Sequence, residues 1–168
     1  MILSQNSAHA GTTLLETSIA ACTAAMFLGS LFTMNITAMK TIRTAREASS
    51  ASQVLQQRVE AMRIANWHQI TDPDWVKNNL LNASAAGSEN LKQISETLTL
   101  TPYDGATAGY TQIERSGGSL PVVRSTADLL KERALKVIWT VDYSGGMNAK
   151  TTTRQTVAVI SKGGVAKW

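Results

Sequence analysis

The sequence predicts an α+β protein: a long N-terminal helix whose second half packs on a small, mainly antiparallel β-sheet. Three observations predict it. Residues 14–39 form the one long apolar run. The helical pattern then continues past Lys40 with no proline or glycine until Pro73. The C-terminal part alternates apolar and polar residues, with turn signals between the runs. At 168 residues the chain suits one globular domain plus one further element. Charged residues make up only 17% of it, low for a soluble domain and in keeping with one end in lipid.

Residues 1–11 carry no Lys, Arg, Asp or Glu. They are too short for a complete secretory signal, and the apolar run follows them rather than lying within them. Residues 12–39 read as the membrane-crossing half of the helix, since a bilayer core needs about 20 apolar residues. Glu16 is the only formal charge in the run, which is diluted by Ser, Thr, Gly29 and Asn35. Small residues (Ala20, Ala21, Ala24, Ala25, Gly29, Ser30) let helices approach closely. Cys22 is the single cysteine, so no intramolecular disulfide and no thiolate zinc cluster can form. A small buried thiol is its expected role.

Residues 40–65 read as the amphipathic half of the same helix. Lys40, Arg43 and Arg46 mark the edge of the apolar run. Leu55, Val59 and Met62 recur at helical spacing, with Val54 and Ala61 beside them. The opposite face carries Gln53, Gln56, Gln57, Arg58, Glu60 and Arg63, expected to be solvated. One helix over 13–65 would measure about 80 Å.

Residues 66–168 read as the α+β domain. Asp72-Pro73-Asp74 is a turn signal, flanked by Trp67 and Trp75 as anchors on the domain. A short helix is expected over 76–81 and a loop over 84–88. Strands are expected over 96–101, 110–115 and, at an edge, 121–124; residues 127–132 read equally as helix or strand. The clearest pair comes last. Val137, Trp139, Val141 and Tyr143 alternate on one face of 135–143. Over 151–161, Val157 and Val159 oppose Ala158 and Ile160. A hairpin loop at 144–148 joins the two.

Motifs for chemistry are sparse. A net charge of +4 permits contact with anionic lipid or nucleic acid without arguing for either. Arg43, Arg46, Arg58 and Arg63 form a basic series along the helix, but the few aromatics among them argue against nucleic-acid binding. His68 has no second ligand at metal spacing, and His9 lies in the leader. Asp72, Asp74 and Asp104 are more simply turn residues than calcium ligands. No phosphate loop, dinucleotide fingerprint or catalytic carboxylate pair is present, so the chain reads as a non-enzyme without a cofactor.

The stretch Gly11-Thr12-Thr13-Leu14-Leu15-Glu16, opening a long apolar run, resembles the N-terminus of type IV pilins and type II secretion pseudopilins. That family's pattern is a short leader ending in glycine, then an aromatic residue or Met, Thr, Leu, Ile or Leu, and a glutamate fifth in the mature chain. The resemblance covers the helix closely and the domain in outline. Two departures stand out. Thr12 occupies the place usually held by Phe or Met, and the leader lacks the family's basic residue.

The resemblance implies that a prepilin peptidase cuts after Gly11 and methylates the new amine of Thr12. Glu16 would pair with the N-terminal amine of a neighbouring subunit in a filament. The N-terminus would be cytoplasmic, the chain single-pass in a bacterial inner membrane, and the 66–168 domain periplasmic. By the positive-inside rule Lys40, Arg43 and Arg46 favour the opposite orientation. An ATPase-driven platform would then assemble subunits into a pilus or pseudopilus. The expected role is thus a minor pilin or pseudopilin. The alternative is a membrane-anchored binding module that never polymerises.

Overall fold

The computed structural model describes residues 7–103, 109–145 and 150–163, with side chains from residue 13 onward. Residues 1–6 of the expected leader, Asp104 and Gly146, Met147 and Asn148 of the expected hairpin loop lie outside them. The chain divides into two units, Met1–Ile42 and Arg43–Trp168.

Helix α1 spans Ser7–Ile64, starting ahead of the expected Thr13 and ending one residue before the expected limit. Its part in the second unit buries one stripe: Ala51, Val54, Leu55 and Met62, with Glu47, Ser50 and Arg58 in the same stripe. The spacing is that of a helix face laid on a core. Val59, expected with Leu55 and Met62, is only half-buried.

Past α1 the chain makes short helical turns. Asn66 precedes α2 (Trp67–Thr71), and its N–H donates to Gln69 Oε1 at 2.9 Å. Asp72 caps α3 (Pro73–Val76) by accepting from the Asp74 N–H at 3.0 Å, and Pro73 occupies the first turn. A π-helical turn, Lys77–Leu81, completes the segment read as one short helix. Trp67 is buried and Trp75 packs against the core, as anchors should. Gly87 sits at φ 92°, and a Cβ there would lie 3.3 Å from Gln53 Oε1 and the Ser50 carbonyl. Both the backbone angle and the close approach of α1 favour glycine.

The sheet has five antiparallel strands in the order β3-β2-β1-β4-β5. They are β1 (Lys92–Pro102), β2 (Thr111–Ser116), β3 (Val122–Ser125), β4 (Ala134–Gly145) and β5 (Lys150–Ser161). The segment 127–132 resolves into a 3-10 turn, Leu129–Lys131, capped by Asp128. Alternation carries Leu98, Leu100, Ile113, Leu135, Val137, Trp139, Val141 and Tyr143 into the core. On β5, Ala158 and Ile160 pack inward, while Val157 and Val159 are exposed.

Arg58 departs from the sequence reading. It is 5% exposed, not solvated. Its Nε and Nη2 donate to Glu96 Oε2 and Oε1 at 2.8 and 3.0 Å, a two-point grip on a carboxylate that is itself 1% exposed. Its remaining donors reach the Leu80 carbonyl and, at 2.8 Å, the Ala83 carbonyl. The guanidinium lies 5.9 Å from the centre of the Trp139 ring. Arg115 reaches the same carboxylate at 3.4 Å and the Ala83 carbonyl at 3.2 Å. One buried cluster thereby ties α1 to β1, β2 and the chain after the π-helical turn. Burying the charges is tolerable because the donors and acceptors meet one another.

Candidate functional site

The first unit places an apolar surface where a water-soluble helix would place polar residues. From Leu14 to Ile42 the side chains are exposed, and the large apolar ones range from 47% for Leu31 to 75% for Met26. None of the most apolar stretch is buried against other parts of the chain, and this helix is long and apolar enough to cross a membrane. A helix that is apolar all round finds its stable surroundings in lipid or among other helices. Cys22, expected as a buried thiol, is exposed on this surface.

Lys40 aside, the polar side chains of this stretch fall into two groups. Every serine and threonine from 17 to 41 donates its hydroxyl back to the preceding turn. Thr17, Ser18, Thr23, Ser30, Thr33, Thr37 and Thr41 reach carbonyls three or four residues earlier at 2.7–3.0 Å. Such back-bonding lets a hydroxyl sit in hydrocarbon without an outside partner. Glu16 and Asn35 are different. Both are exposed, and among the described residues neither side chain has a hydrogen bond or ion pair. Sequence reasoning singled out Glu16 by its charge. It passed over Asn35, whose two-sided amide stands apart only once the neighbouring hydroxyls are seen to be satisfied.

Gly11 and Thr12 lie within α1, and their side-chain surroundings are outside the described residues. Because α1 begins at Ser7, Glu16 sits about two and a half turns into the helix of the intact chain. A carboxylate gains from the helix dipole only near the first turn, so Glu16 would have that relief only in a chain cut after Gly11.

The basic series does not act as one surface. Arg58 is in the core, Arg43 pairs with Glu47 at 3.0 Å, and Arg63 pairs with Glu60 at 2.9 Å. His68 is exposed, and Asp72 serves as a helix cap. Among the described residues no three His, Cys, Asp or Glu side chains gather as a metal site would require. No family model, curated protein or solved structure matches the chain.

Proposed function

We propose that the chain is a pilin-like subunit, a minor type IV pilin or a type II secretion pseudopilin. A prepilin peptidase would cut it after Gly11, and it would assemble through its N-terminal helix. The observation that carries the reading is Glu16: a lone carboxylate without a partner among the described residues, on an exposed apolar helix, five residues after Gly11. A carboxylate at mid-bilayer costs about 3 kcal/mol on insertion scales, and less near the interface. Cleavage would supply a remedy. The new, methylated amine of Thr12 would stand one turn from Glu16, and the same amine on a neighbouring subunit would offer Glu16 a counter-charge. Docking would then proceed in the register that brings carboxylate and amine together.

Asn35 fits the same reading. An amide is both donor and acceptor, so helices packed in a filament can satisfy it across their contact. The back-bonded hydroxyls and small residues leave the helix surface smooth enough for that approach. The chain would wait in the inner membrane, with its domain in the periplasm, until an ATPase-driven platform extracts it.

The test is assembly of Glu16→Gln and Glu16→Val in cells that make the filament. Leader cleavage is expected to persist while incorporation is lost. Normal incorporation of both variants would leave the helix as a plain anchor and favour a binding module that does not polymerise.

A further inference from the structure

Strand β5 is the long outer edge of the sheet, bonded among the described residues to β4 on one side only. Its pairing with β4 runs from Ala134↔Ser161 to Gly145↔Lys150 without a register shift. It contains neither proline nor bulge, two of the devices that blunt such an edge. The direction of its free bonding groups can be read. The Lys162 N–H donates to the Arg133 carbonyl at 2.7 Å. In an unbroken antiparallel ladder, even-numbered residues of β5 therefore face β4. Odd-numbered residues turn their N–H and C=O outward. Thr151, Thr153, Gln155, Val157 and Val159 thus present a row of backbone groups at the spacing another strand would use.

The side chains add a chemical preference. The stretch 155–159 is uncharged, and Val157 and Val159 are 54% and 53% exposed. Around it stand Lys150 and Arg154 on β5, Lys136 beside Val159 on β4, and Lys162 just past the strand. Among the described residues none of these cations is in an ion pair. No acidic residue occurs on β5; the nearest on β4, Asp142, accepts from the Thr153 hydroxyl. A cleft of about 380 Å³ runs beside the edge, with Gln155 and Thr156 on one side and Gln56, Val59 and the ion-paired Glu60 and Arg63 of α1 on the other. Two copies of β5 laid together would bring like charges into one small sheet. A strand with acidic residues would meet opposite ones.

We infer that β5 is a docking edge for an extended, acidic segment of a partner protein. The segment extends the sheet by pairing with residues 151–159, sets apolar side chains beside Val157, Val159 and the cleft, and places carboxylates near Lys150 and Arg154. Backbone pairing supplies the affinity and the cations supply the choice of partner. This inference concerns the domain and does not rest on polymerisation through the helix.

The test uses the full chain in detergent micelles. The probe is a short synthetic peptide alternating valine and threonine, with glutamates at both ends; its counterpart carries lysines instead. The glutamate peptide is expected to bind, and to slow amide exchange at 151, 153, 155, 157 and 159 but not at the even positions, which are already bonded. Gln155→Pro and Val157→Pro each remove an outward N–H without taking a bond from the β4–β5 ladder. They should fold and weaken binding about tenfold, the worth of one good hydrogen bond. Arg154→Glu should weaken the glutamate peptide and strengthen the lysine one. Equal binding of both peptides would overturn the acidic preference. Binding without the odd-residue protection would reduce the edge to a basic surface, as would anionic vesicles or nucleic acid competing fully with the peptide. Protection at the odd residues on self-association would assign the edge to a second copy instead. The exchange pattern of the unaltered protein keeps the inference testable should a proline variant fail to fold.

Discussion

The two stretches of α1 share a backbone geometry and differ in what their side chains meet. Over residues 13–42 the apolar side chains are exposed on every side, and the hydroxyls fold back onto the helix. Over residues 43–64 one stripe is buried, and it admits charge only where a partner is built in, as for Arg58 with Glu96 and Glu47 with Arg43. The first stretch is exposed and long and apolar enough to cross a membrane; the second buries its stripe on the sheet. A charge is therefore diagnostic in both. In the second it is answered within the domain. In the first, Glu16 has no partner among the described residues.

Substitutions should separate the two stretches. The largest loss of domain stability is expected from Arg58→Ala, which strands much of the Glu96 charge and two carbonyls: about 3–5 kcal/mol by chemical denaturation, with leader cleavage untouched. A loss near zero would mean that the cluster is solvated. Met62→Ala, at 0% exposure, should cost about 2–5 kcal/mol through a cavity under the sheet. Asn35→Leu should leave domain unfolding unchanged. It should weaken helix association by about 0.6–2 kcal/mol, read by energy transfer between labelled chains in micelles. The smallest effect is expected from Phe32→Ala, at a side chain 68% exposed, which should shift domain unfolding by less than about 0.5 kcal/mol. A larger shift would mean that the apolar stretch is part of the domain's core.

The α+β class and the pairing of β4 with β5 were legible because period-two alternation over Val137, Trp139, Val141 and Tyr143 has no helical equivalent. The turn α2 at Trp67–Thr71 escaped because a five-residue helix is too short to show a period. Arg58 was misread by residue type. Its position, four residues from both Val54 and Met62, already placed it in the buried stripe. Glu96 likewise stands in phase with Leu98 and Leu100. Two opposite charges at core-facing positions of different elements are a readable sign of a buried pair. The candidate site was legible in part. Gly11 and Glu16 stand out by spacing, but the groups expected to act on them belong to other molecules. Asn35 gained meaning only from the bonds of its neighbours, and the direction of the β5 edge only from the Lys162 bond.

The most direct measurement is the N-terminal sequence and intact mass of the protein purified from the membrane of its own cell. A pilin-like subunit should begin at Thr12 with a methylated amine. A mature protein that still carries residues 1–11 would contradict the account, because the proposed pairing of Glu16 with the amine of Thr12 could not form.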